Sequence, residues 1–248
     1  MRRLLIILRR EFFAQLLSPV SWLLMTLVWL IYGVFYRWTI IENPQAYGDI
    51  LRMTWQAGLQ ALWIQLFLVP LQTMRLISEE KRSGTFEMLV TTPVRDHEIV
   101  LGKFFGAWLF NALIWLVMPL YACIIQRSGG DPDFGPVWTS YLAVVATGAL
   151  YISVGLMASA LTRPQILAGF LGIALLVLIG VLPNFWSKLP EEGFWSLPRG
   201  ILKSGDLTRQ MEEAARGLLD VVHLTYKLAF CGLFLLFTTR LLEVRKWA

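Results

Sequence analysis

Six predominantly apolar stretches, each about the length a helix needs to cross hydrocarbon, lie at about 19–36, 56–76, 100–125, 137–161, 165–182 and 221–239. A span takes about twenty apolar residues, because the hydrocarbon is about 30 Å thick and a helix rises about 1.5 Å per residue, and it is helical because backbone N–H and C=O groups in lipid must find partners within the segment itself. Composition agrees: 56% of the residues are hydrophobic and 16% charged, with a mean hydropathy of +0.59. Ordinary soluble domains run at about 45–50% apolar and about 25% charged. The chain reads as one all-helical membrane domain over residues 1–248 with modest loops, too short to add a soluble catalytic domain.

The net charge of +5 does not point to nucleic acid, because the basic residues sit in short clusters flanking the apolar stretches. With the N-terminus inside, 13 of the 22 Lys and Arg fall on the cytoplasmic side, and the formal charge divides as +6 inside and −1 outside. Both termini are therefore expected in the cytoplasm of a multi-pass protein. Met1 to Leu8 holds too short an apolar run for a cleaved leader. Residues 1–17 read instead as an interfacial helix, with Leu4, Leu8, Phe12 and Leu16 on one face and Arg2, Arg3, Arg9 and Arg10 gathered elsewhere. Ser18 and Pro19 suit the start of the first span.

Amides are expensive beside lipid. Gln56, Gln60, Gln65 and Gln72 in the second span and Asn111 in the third are thus expected to face protein or a wet path. Two readings stand for them: hydrogen bonds between helices, or contacts with a substrate. Pro119 is expected to kink the far end of the third span. Gly155/Ser159 and Ala168/Gly172 place small residues four apart in the fourth and fifth spans, which predicts close packing of that pair. In the external loop 183–220, Leu207, Met211, Leu218 and Val222 oppose Asp206, Arg209, Glu213, Arg216 and Asp220, which predicts an amphipathic helix before the last span.

Catalytic signatures are missing: there is no G-x-x-x-x-G-K-[ST], no H-E-x-x-H and no G-x-S-x-G. His97 and His223 lack partners at ligand spacing, Asp131 and Asp133 flank a turn proline, and Cys123 and Cys231 lie in apolar stretches. No catalytic or metal-ligating residue is assigned, and no cofactor is expected on this chain. The distinctive segment is the hydrophilic interruption 77–98, a charged loop whose core mixes Phe86, Met88 and Leu89 with Glu87 between the breakers Gly84 and Pro93. From physics alone it is equally a movable rigid element or an ordinary charged loop.

The run Glu79-Glu80-Lys81-x-x-Gly84-Thr85-x-Glu87-x-Leu89 with Pro93, followed by Leu101-Gly102-Lys103, resembles the stretch between the second and third spans of ABC-2 type transporter permeases. The similarity is strongest to the gliding-motility-associated branch, which is itself similar to permeases of nitrous-oxide-reductase clusters. Arg216, Gly217 and Asp220, with Leu242-Glu243-x-Arg245-Lys246-Trp247, resemble that branch's last loop and helix. The resemblance implies a six-helix exporter-type permease of the bacterial inner membrane, paired with a second permease copy or a homologous permease. It further implies cytoplasmic ATPase subunits carrying ATP and magnesium, and an extracytoplasmic accessory protein. Glu79, Glu80, Lys81, Gly84, Thr85, Phe86, Glu87, Leu89 and Pro93 would form the ATPase-coupling segment. The alternative is a polytopic scaffold or mechanotransmission subunit that anchors partners and translocates nothing.

Overall fold

The computed structural model describes residues 2–42, 50–84, 95–130, 132–183 and 196–244, and the regular structure among them is entirely helical. The elements are α1 (Arg2–Leu17), α2 (Pro19–Glu42), α3 (Ile50–Thr73), α4 (Ser78–Ser83), α5 (Asp96–Trp115), α6 (Val117–Arg127), α7 (Phe134–Leu161), α8 (Gln165–Val181), α9 (Ser196–Ser204), α10 (Leu207–Ala215) and α11 (Val221–Val244).

Among the described residues four helical stretches are long and apolar enough to cross a membrane: Gly58–Arg82, Asp96–Arg127, Phe134–Leu161 and Val221–Val244. The pair α1 and α2, bent by 68° at Ser18, adds a fifth if it counts as one broken span, and α8 is a shorter apolar helix. The elbow has a local cause. Pro19 opens α2 at a position where its missing N–H is not needed, while the Ser18 carbonyl accepts from Ser21 and Trp22 at 3.1 and 3.3 Å.

The bundle is organised around α7, which packs on α3, α5, α8 and α11. The chain buries 83% of the apolar window of α7 and 22% of that of α11, so most of α11 lies on the outside of the bundle. Polar tips fasten the outer helices. Trp29 Nε1 donates to the Ile114 carbonyl at 2.9 Å, and the Tyr32 ring meets Trp115 edge-on at 6.3 Å.

The third apolar stretch is interrupted at Leu116, three residues before Pro119, where the proline was expected to disturb it, because the ring crowds the carbonyl four residues back, that of Trp115, and its missing N–H cannot bond there. Other expectations need correction. The charged interruption does not begin as a loop, since Ser78–Ser83 is helical. Its acids stand in the first turn and its bases in the last, which suits the helix dipole, and Gly84 ends it in the left-handed conformation at φ 72°.

Gly155 and Ser159 face α3 rather than α8: a Cβ on Gly155 would collide with the Thr73 side chain, and Ser159 bonds the end of α3. On α8, Gly172 lies against Pro70 and Ala158, where an added Cβ would sit 3.4 and 3.9 Å from their Cβ atoms. The external amphipathic helix stops at Ala215, so Leu218 and Val222 fall beyond it and are exposed. What α10 buries is Leu207, Gln210, Met211, Ala214 and Ala215. Met211 lies so near Gly58 that a Cβ there would meet its sulfur at 2.5 Å, and Thr139 Oγ1 donates to the Ala214 carbonyl at 2.6 Å.

Candidate functional site

The chemistry of the bundle is concentrated where α1, α4 and α5 converge. Gly102 and Gly106 on α5 face α1, and a Cβ on Gly106 would come within 2.8 Å of the Glu11 Cβ and 3.2 Å of the Leu8 oxygen and Phe12 nitrogen. Those are largely backbone obstacles, so glycine is what allows the two axes to approach. The approach brings Glu11 onto Lys103. Lys103 Nζ donates to Glu11 Oε1 at 3.0 Å and to Glu80 Oε1 at 2.7 Å, with the lysine side chain 3% exposed and the two acids 11% and 13% exposed. Arg10, 62% exposed, stands 3.7 Å from Glu80 and 3.9 Å from Glu11. Among the described residues two bases face the two acids, so their formal charges offset, as burial demands.

The chain leaving α3 is held just as closely. Ser159 Oγ accepts from Ile77 N and Ser78 N at 3.1 and 3.0 Å and donates to the Met74 carbonyl at 3.2 Å. Ser78 Oγ also donates to the Met74 carbonyl, and Lys81 Nζ donates to the Ala160 carbonyl. The short helix α4 is therefore tied to the end of α7 through Ser159 and Ala160, and to α5 and α1 through Glu80. Beside it lies a polar hollow of about 400 Å³ lined by Gln15, Arg75, Glu79 and Glu80 among others.

The predicted coupling residues divide. Glu79 is exposed, whereas Glu80 and Lys81 turn inward and bind the bundle. Thr85, Phe86, Glu87, Leu89 and Pro93 lie outside the described residues. Sequence reasoning missed Glu11, read Ser159 only as a small packing residue, and named Lys103 without giving it a partner. Glu11 had a signal: it recurs with Leu4, Leu8 and Gln15 on the face of α1 that packs inward, a lone acid on a buried stripe.

The amides occupy two places. Gln65 Nε2 donates to Asn111 Oδ1 at 3.3 Å and to the Val144 carbonyl at 3.1 Å, and Gly148 makes room for both, a Cβ there meeting Asn111 Oδ1 at 2.5 Å. Gln72 Nε2 donates to Gln15 Oε1 and to the Ala107 carbonyl, each at 2.8 Å. These bonds join α3 to α5, α7 and α1. Gln60 is half-buried, and the side chain of Gln56 lies outside the description.

At the opposite end, Arg216, Gly217 and Asp220 form the joint between two helices. Gly217 turns the chain at φ 81° while Leu218 N bonds the Glu213 carbonyl at 3.0 Å, and Asp220 Oδ1 accepts from Val222 N at 2.9 Å to start α11. Arg216 pairs with Glu212 at 2.6 Å. His223 has a partner that its isolation in sequence concealed, since Nε2 lies 2.9 Å from Glu213 Oε2, with Asp220 at 4.0 Å. Although Glu213, Asp220 and His223 offer atoms within 4.8 Å of one another, Glu213 is already engaged by Arg209 at 3.0 Å and by the His223 ring at 2.9 Å, and these contacts account for the group.

A bundle of long apolar helices with amides bonded inside it and a buried ion cluster at one end has the architecture of a polytopic membrane protein. The family described as ABC-2 family transporter protein matches residues 56–192, more than half of the chain, and the chain belongs to that family. It is thus a membrane component of an ABC transporter and not the ATPase. The match covers α3 from residue 56 onward, α4, Lys103, Gln65 and Asn111, and leaves Glu11 and α11 outside it. No curated protein matches the chain.

Proposed function

We propose that this chain is the permease subunit of an ATP-binding cassette transporter, coupling hydrolysis by separate cytoplasmic ATPase subunits to export of a substrate. The observation that carries the reading is the attachment of α4: Glu80 reaches Lys103 and Glu11, while Ser78 and Lys81 reach the end of α7. A push on α4 cannot be absorbed locally. It displaces α1, α5 and α7 together, which is what a ligand-biased two-state switch requires.

In this reading six helices cross the bacterial inner membrane with both termini in the cytoplasm, and two permease copies pair. The ATPase carries ATP and magnesium. It docks on exposed Glu79 and on the segment with Thr85, Phe86, Glu87, Leu89 and Pro93, apolar side chains filling a groove and acids pairing with its rim. The gliding-motility branch and an extracytoplasmic accessory protein belong to the same proposal, supported by the resemblance in Glu79 to Pro93 and in the C-terminal motif.

The test is co-purification with a candidate ATPase, together with its activity in lipid, for wild type and for Glu79→Ala/Glu87→Ala. Loss of both with an unchanged permease melting profile is expected. Unchanged binding and activity refutes the coupling role, and ATPase stimulation without substrate movement favours the scaffold.

A further inference from the structure

A second cavity of about 400 Å³ lies between α5, α7, α10 and the start of α11. Its walls are apolar: Trp108, Leu142, Val145, Leu224 and Leu228 line it, and Trp108 is fixed by its Nε1 donating to the Val145 carbonyl at 3.0 Å. Leu142, Leu224 and Leu228 are 50%, 48% and 60% exposed, so the cavity communicates with the lipid-facing surface. The volume falls within the range of small-molecule sites, about 300–1,000 Å³.

Two polar groups in this apolar space lack adequate partners. Lys227 is 4% exposed, and its three donors meet one acceptor, the Ala143 carbonyl at 3.4 Å; among the described residues no carboxylate lies within ion-pair distance. Gln210, also 4% exposed, gives its Nε2 to the Ser204 carbonyl at 2.7 Å, while its buried Oε1 has no donor among the described residues. Lys227 follows Val221 by six residues, about 9 Å along the helix at about 1.5 Å per residue. A lysine there ordinarily snorkels to water, and its burial shows that it does not. Asp220 sits on the rim, capping α11 and facing His223. An ionisable side chain inside a span, facing a cavity with its donors unmet, marks a ligand site.

We infer that this cavity binds an anionic amphiphile, its acyl chain against the apolar wall and its carboxylate or phosphate head on Lys227 Nζ. Charge decides the class, because an apolar ligand alone leaves the ammonium unmet and a small hydrophilic anion leaves the walls unfilled. The site is independent of how α4 meets an ATPase, and its test involves no ATPase.

Full-length protein in phosphatidylcholine nanodiscs is titrated with cis-parinaric acid and with its methyl ester, following the probe's fluorescence. Saturable binding of the acid is expected to be about tenfold or more tighter than that of the ester, the scale of one charge-assisted hydrogen bond. Lys227→Met should lose that difference, Lys227→Arg should keep it, and Ala146→Phe, which fills the cavity, should abolish binding. Native mass spectrometry after reconstitution with phosphatidylglycerol separates the sources: retained phosphatidylglycerol assigns the site to a phospholipid, and retained fatty acid alone assigns it to a free acid. Equal binding of acid and ester by the wild type overturns the proposal, and that comparison needs no variant. So does an undiminished preference for the acid in Lys227→Met. Absence of saturable acid binding, as when a second copy of the chain covers the cavity, overturns it as well.

Discussion

Replacing Lys103 with methionine keeps the length of the side chain and deletes the single cation buried between two acids. Glu11 and Glu80 then face each other through the space that the ammonium held, at 11% and 13% exposure. Breaking a buried ion pair by removing one partner costs about 3–5 kcal/mol. The partial exposure of both acids and the nearness of Arg10, itself 62% exposed, place this case toward the lower end, about 3 kcal/mol. For a chain of this size that lowers the melting temperature by about 6–12 °C. The assay is thermal unfolding in nanodiscs followed by tryptophan fluorescence, with Arg10→Ala as the control expected to cost under about 1 kcal/mol. The triple variant Lys103→Met/Glu11→Gln/Glu80→Gln should recover most of the loss, because the stranded charges are gone. A shift below about 2 °C for Lys103→Met, or a triple variant no more stable than the single, refutes the cluster as a buried clamp.

Two further outcomes follow from the same corner of the bundle. Gly106→Val should destabilise by about 1–3 kcal/mol in the same melt and free α1 from α5, read as faster proteolysis after the N-terminal arginines, since its Cβ meets backbone atoms of α1 at 3.2 Å. Ser159→Ala leaves Ile77 N and Ser78 N without their acceptor and should cost about 1–3 kcal/mol, with hydrogen exchange rising at those two amides before it rises in α7.

Much of the outline was legible in one dimension. The apolar helices lie where the hydropathy falls, the break near Pro119 and the start at Pro19 follow from the missing proline N–H, and Gly84 ends α4 where a breaker was expected. The helicity of Ser78–Ser83 was readable too, in the order of its acids and bases. The external helix was overextended, because its periodicity ran through Gly217, where the backbone turns left-handed. The candidate site was less legible. Glu80 looked equivalent to Glu79 and proves to point the opposite way, and Gly155 and Ser159 looked like a seam for α8 and instead serve α3.

The sequence by itself determined which segments are helical and apolar, since each helix in lipid must satisfy its own backbone. Only the tertiary structure decided who meets whom: Lys103 with Glu11 and Glu80, Ser159 with the end of α3, and Lys227 with an apolar cavity and, among the described residues, no carboxylate within ion-pair distance. Rotation of each helix about its axis and the close approach at Gly102 and Gly106 set those meetings. Both depend on residues far apart in the chain, and a polar side chain on one helix does not specify the partner another helix brings to it.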